Sequence, residues 1–98
     1  MVSLRDVENI VNASRLRGFR VTFRFKGIRY EVVIDGEVKA IDPEGVKVPW
    51  GKAFQQPPHV VLSTYRVDRI TVECGGSTVA TFSSLQEFLK SMDSINCR

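Results

Sequence analysis

GFRVTFRFKGIRYEVVID, residues 18–35, decides the architecture of this chain. Apolar side chains occupy odd positions at Phe19, Val21, Phe23 and Phe25, then even positions at Ile28, Tyr30, Val32 and Ile34. Alternation with a period of two marks a strand with one buried face, and the change of parity at Lys26-Gly27 marks a turn. A two-residue loop there, with glycine taking the positive φ, pairs Phe25 with Ile28, Phe23 with Tyr30, Val21 with Val32 and Phe19 with Ile34. All eight apolar side chains then share one face. Arg20, Thr22, Arg24, Arg29, Glu31 and Val33 take the other, with Lys26 at the tip. In this register Arg24 stands opposite Arg29, and like charges so placed are destabilising unless an anion lies between them.

Upstream, Leu4, Val7, Ile10 and Val11 recur at helical spacing. Ser3 and Asp6 frame the start of that helix and Gly18 its stop. Residues 35–58 are the least regular: Asp35-Gly36, Asp42-Pro43-Glu44-Gly45, Pro49 and Pro57-Pro58 each break a long element. A short strand is expected around Val46 to Val48, then a loop or helical turn carrying Trp50 and Phe54. His59 to Ser63 reads as a β-rich run, and Arg66 to Cys74 as a strand. A three-residue loop, Gly75-Gly76-Ser77, would place Ile70, Val72 and Cys74 on one face with Thr78, Ala80 and Phe82. Ser84 and Glu87 form a capping-box pattern ahead of Leu85, Phe88, Leu89 and Met92, the apolar stripe of a closing helix. The expected class is α+β: one domain over residues 1–98, an antiparallel sheet built from hairpins, with an N-terminal and a C-terminal helix packed on one face.

The composition fits a single globular domain. Among 98 residues, 43% are apolar and 26% charged, which excludes collagen-like, disordered and disulfide-scaffold classes. No run is long and apolar enough to span a bilayer, and "MVSLRDVENI" has acidic residues where a signal peptide is apolar, so a soluble cytoplasmic protein is expected, with no membrane partner. The formal charge of +3 is unevenly spread. In residues 17–34, Arg17, Arg20, Arg24, Lys26 and Arg29 face Glu31 alone, a net +4, while the rest of the chain nearly balances.

Nothing in the sequence resembles catalytic machinery. His59 is the sole histidine, no triad spacing is present, and Gly75-Gly76 lacks the surroundings of a phosphate-cradling loop. Asp68 and Glu73 fit a solvated strand face. Cys74 and Cys97 lack the paired spacing of a zinc site, so no metal and no cofactor are expected; Cys74 reads as a small buried hydrophobe at a strand end and Cys97 as part of a frayed tail, and a bridge between them is the alternative that suits a hyperthermophile, whose intracellular proteins keep disulfides.

The basic hairpin is the feature that asks for a partner. Base stacking on aromatic side chains beside a cationic groove is how sequence-tolerant single-strand binders work. The candidate nucleic-acid-binding residues are Arg20, Arg24, Lys26, Arg29, Trp50, Phe54, Tyr65, Arg66 and Arg69. Trp50 and Phe54 fit equally well as core at one end of the sheet. The layout of helix, Arg/aromatic hairpin GFRVTFRFKGIRYEVVID, Pro/Trp segment, second β portion and closing helix resembles the DNA-binding domain of the ThermoDBP and ThermoDBP-related proteins of hyperthermophilic archaea. That resemblance implies single-stranded DNA binding by basic and aromatic side chains around the sheet, with homo-oligomerisation. The zipper helix of the founding type has no counterpart here, which puts any oligomer on the domain itself. The expected function is therefore sequence-tolerant binding of single-stranded DNA; the alternatives are a protein interaction or assembly module, such as a small scaffolding or viral subunit, and RNA binding.

Overall fold

The computed structural model describes residues 2–98. Helix α1 (Leu4–Arg17) starts at a complete capping box. The Ser3 hydroxyl accepts from the Asp6 amide at 3.1 Å and the Asp6 carboxylate accepts from the Ser3 amide at 2.9 Å. Those hydrogen bonds, the one from the Ser3 backbone foremost, hold the Asp6 carboxyl below its ordinary value. The helix ends at Gly18, whose φ of 76° is the left-handed cap conformation; its amide donates to the Ser14 carbonyl. Val7, Ile10 and Ala13 form the buried stripe.

Six strands follow: β1 (Arg20–Phe25), β2 (Glu31–Ile34), β3 (Val38–Ile41), β4 (Lys47–Val48), β5 (Val67–Cys74) and β6 (Ser77–Phe82). They make one antiparallel sheet in the order β4-β3-β2-β1-β5-β6. Between β4 and β5 lie a helical turn, α2 (Trp50–Ala53), and helix α3 (Pro58–Thr64). Helix α4 (Leu85–Ser91) and a 3₁₀ turn (Met92–Ser94) close the described chain. On β1, Val21, Phe23 and Phe25 are buried while Arg20 and Arg24 are exposed, so the helices cover one face and leave the arginine face open. No helix among the described residues is long and apolar enough to cross a membrane.

Phe88 anchors the core. Its ring meets Phe19, Phe23 and Phe82 edge-on, at centroid distances of 6.5, 5.8 and 5.8 Å. At the far end of β1 a second aromatic group, Phe25, Phe54 and Tyr65 with Tyr30 and Trp50 beside Phe54, closes the layer. The fully buried rings among them, Phe19, Phe23, Phe54 and Phe88, each stabilise by about 1.5–3 kcal/mol.

The structure departs from the sequence expectations at five places. The first hairpin pairs Val21 with Ile34 and Phe23 with Val32, two residues out of the expected register, because Lys26 to Tyr30 form a longer connection whose start is tied down when the Lys26 amide donates to the Arg66 carbonyl at 2.9 Å. Strand β3 lies in the segment expected to be irregular, joined to β2 by a tight turn at Asp35-Gly36. His59 to Ser63 is helical: Pro58 takes the first turn of α3, where a missing amide costs nothing, and Val61 and Leu62 turn inward. The second hairpin keeps the expected pairs Ile70 with Phe82 and Val72 with Ala80, but by another route. Gly75 and Gly76, at φ 57° and 87°, make a two-residue turn, and the extra residue is Val79, bulged out between Thr78 and Ala80. Cys74 and Cys97 are not an isolated hydrophobe and a frayed tail: they are bridged, with Cα atoms 5.4 Å apart, because the C-terminal segment returns alongside β5.

Candidate nucleic-acid interface

Strand pairing sorts the open face into rows. One row runs Lys47, Ile41, Glu31, Arg24, Arg69 across five strands. The next is Lys39, Val33, Thr22, Thr71, Thr81. A third places Arg20 beside Glu73, and Glu73 beside Thr78. Val33, only 1% exposed, shows that this face is not purely polar; it is flanked by Thr22 and Lys39.

This geometry replaces the expected clash with a different one. Arg24 does not face Arg29; it forms an ion pair with Glu31, Nε to Oε2 at 3.0 Å, and on its other side its register partner is Arg69. Opposed residues on antiparallel strands have Cα atoms only about 4.5–5.5 Å apart, so two guanidiniums share one patch of surface. Just beyond them the ladder shifts between Arg24 and Phe25: Phe25 pairs with Val67, leaving Asp68 bulged and exposed. The Lys26–Arg66 backbone bond then brings two more cations to that end. Arg29 lies in the β1–β2 connection, its guanidinium carbon 6.0 Å from the Tyr30 ring centroid. Arg24 is the only one of these five cations with an ion pair among the described residues. A cleft of about 280 Å³, lined in part by Arg24, Arg29, Glu31 and Asp42, opens there, and a groove of about 230 Å³ over the sheet is bordered by Arg24, Arg69, Thr22 and Thr71.

Arg20 does not belong to this cluster. Four residues along a strand carry it about 13 Å from Arg24, beyond the screening length of about 8 Å at physiological salt. Its register partner is Glu73. The aromatic candidates divide as well. Phe54 is 2% exposed, held by Phe25, Tyr65, Tyr30 and Trp50, and stacking a base on it would require opening the core; it leaves the candidate site. Trp50 and Tyr65 are half-buried at the rim of that aromatic group, and the Trp50 indole donates to the Gln56 carbonyl at 2.7 Å. Tyr30, absent from the sequence-derived set because alternation placed it in the core, sits half-buried beside Arg29.

Fold and surface together define an α+β domain with helices on one face of its sheet and a cationic corner at the β1/β5 end of the other. Comparison of the chain with protein-family models, with curated proteins and with solved structures finds no match.

Proposed function

We propose that the chain is a sequence-tolerant single-stranded DNA-binding module that holds the phosphate backbone at the β1/β5 end of its sheet. The observation that carries this reading is the Arg24–Arg69 register pair, flanked by Lys26, Arg29 and Arg66. Folding alone gives no return for placing two guanidiniums opposite one another, whereas a phosphate between them accepts from both. Tyr30, Trp50 and Tyr65 offer ring surface at the same end for stacking. The resemblance to ThermoDBP-related domains points the same way and adds homo-oligomerisation. A cytoplasmic setting belongs to this reading, and the Cys74–Cys97 bridge would then be of the intracellular kind that hyperthermophiles keep.

The test is a fluorescence titration of a short labelled oligonucleotide at several salt concentrations. Four or five phosphate contacts give a slope of about −3 in log K against log salt, at about 0.7 per phosphate on single strands. The Arg24→Glu/Arg69→Glu variant should lose at least about half of that slope, about 0.7 for each contact removed. No binding at low salt would end the reading. Competition between matched DNA and RNA strands reads the preference.

One observation favours self-assembly as a second reading. The outer edge of β6, STVATF, carries no charged residue and no proline, two of the devices that keep an edge strand from pairing, and the Val79 bulge is what interrupts it. Light scattering without nucleic acid tests it: a monomer across the concentration range would exclude assembly through β6.

A further inference from the structure

The end of the sheet opposite the Arg24–Arg69 corner carries a cleft of about 450 Å³. Three turns and the C-terminal segment meet there: the cap of α1 at Gly18, the β2–β3 turn at Gly36, the β5–β6 turn at Gly75-Gly76, and Arg98. Its charged lining is Arg15, Arg20 and Arg98 against Asp35 and Glu73. Asp35 is already neutralised by Lys39, Oδ1 to Nζ at 2.9 Å, which leaves Glu73 as the one unpaired acidic side chain lining the cleft beside three arginines. None of those arginines has an ion pair among the described residues.

The parts are held in place. The buried Ser14 hydroxyl accepts from the Gly36 amide at 2.8 Å, fixing the β2–β3 turn to α1. The Cys97 amide donates to the Arg17 carbonyl at 2.9 Å, and the Cys74 bridge anchors the same residue to β5. Arg98 therefore lies against Gly18 so closely that a Cβ there would stand 2.9 Å from its Nε. The Arg15 stem passes Gly36 at ordinary contact distance, its Cγ 3.4 Å from where a Cβ would be.

We infer that this cleft is a binding site for a phosphate monoester, with Arg15, Arg20 and Arg98 taking the phosphate and Glu73 accepting from a hydroxyl or amine of the esterified group. A doubly charged phosphate matches three separate guanidiniums, each offering forked N–H donors, better than a single carboxylate does. The volume lies in the range of small-molecule pockets, about 300–1,000 Å³, and exceeds the need of inorganic phosphate alone. The inference stands apart from the strand-binding reading, because its residues lie at the other end of β1.

The experiment is a calorimetric or NMR titration of the disulfide-bonded protein at constant ionic strength, with adenosine 5′-monophosphate and with inorganic phosphate. Saturable binding is expected, tighter for the monophosphate, and weakened about tenfold by Arg98→Ala or Arg15→Ala, as loss of a charge-assisted bidentate contact implies. The Cys74→Ser/Cys97→Ser variant should weaken it too, by releasing Arg98, whereas Lys52→Glu should not change it. No saturation by about 10 mM monophosphate, weaker than any specific contact set would give, or binding unaltered in the Arg15→Ala/Arg98→Ala double variant, would overturn the assignment; equal affinity for inorganic phosphate would overturn the ester part. In an Arg24→Glu/Arg69→Glu background, oligothymidylate with and without a 5′-phosphate separates the two sources: a preference for the phosphorylated end assigns the site to strand ends, and indifference with monophosphate binding intact assigns it to free small molecules.

Discussion

Replacing Ser14 by alanine tests how the first helix is joined to the sheet. Ser14 is 3% exposed, and its hydroxyl makes two contacts, donating to the Val11 carbonyl at 2.7 Å and accepting from the Gly36 amide at 2.8 Å. The first is local to the helix. The second spans 22 residues and is the contact that matters, because alanine leaves the Gly36 amide without its acceptor. A net hydrogen bond is worth about 0.5–1.5 kcal/mol and an orphaned buried donor costs about 1–3 kcal/mol. Gly36 is only half-buried and borders the Arg15 cleft, so water recovers part of that loss, and about 1.5 kcal/mol is the expected change. Against a total of about 5–15 kcal/mol for a domain this size, that is a substantial fraction. At about 4–8 °C per kcal/mol, the Tm should fall by about 6–12 °C. Urea denaturation should show a lower midpoint with an unchanged m-value, and amide exchange should show the Gly36 proton losing protection. A midpoint shift worth less than about 0.3 kcal/mol, within ordinary surface-substitution effects, or undiminished Gly36 protection would refute the reasoning.

Phe88→Ala removes a ring in contact with three others and should cost about 3–5 kcal/mol, visible as loss of the cooperative transition at moderate temperature in calorimetry. The Cys97→Ser variant opens a ring closed over 23 residues of separation and should lower stability by about 3 kcal/mol in chemical denaturation; a bridged chain that shows no free thiol under denaturing conditions is the matching control. Because the Asp6 carboxyl is held below its ordinary value in the folded chain, its contribution is present above that ordinary value, near 3.8, and is lost as the pH falls through the depressed folded one. Asp6→Asn should therefore lower Tm at neutral pH and flatten the acid limb of the Tm profile, while leaving the fold by circular dichroism unchanged.

Much of the architecture was legible in the chain. Ser3, Asp6 and Gly18 carry helix-end chemistry that acts within a few residues, and both ends of α1 lie where those signals place them. The face assignment of Phe19 to Ile34 also holds, but its register does not, for a reason built into alternation. Sliding one strand by two residues preserves every side chain's face, so period-two patterning cannot distinguish Phe23 opposite Tyr30 from Phe23 opposite Val32. That ambiguity propagated to the site, since it decided whether Arg24 met Arg29 or Glu31. The Arg24–Arg69 pairing depends on β1 lying beside β5, a contact over 45 positions for which no local pattern exists. Strand β3 did leave a signal, an Asp-Gly turn between β-rich stretches, which is a hairpin mark as much as a breaker. For α3 the β-branched run from His59 pointed the wrong way, and packing of Val61 and Leu62 outweighed it.

The order of the sheet has a consequence for how the molecule divides. Every neighbouring pair of strands is a hairpin except β1 and β5, so the sheet is two independently wound ribbons, β1 to β4 and β5 to β6, joined along a single seam. Cleavage at Gln55-Gln56, in the exposed link ahead of α3, would separate the ribbons without cutting either. Each half would then display a bare central strand, VTF of one and RITV of the other, shaped to pair with its missing counterpart. The two pieces are thus natural complementing fragments, and each alone carries an unpaired strand prone to aggregate.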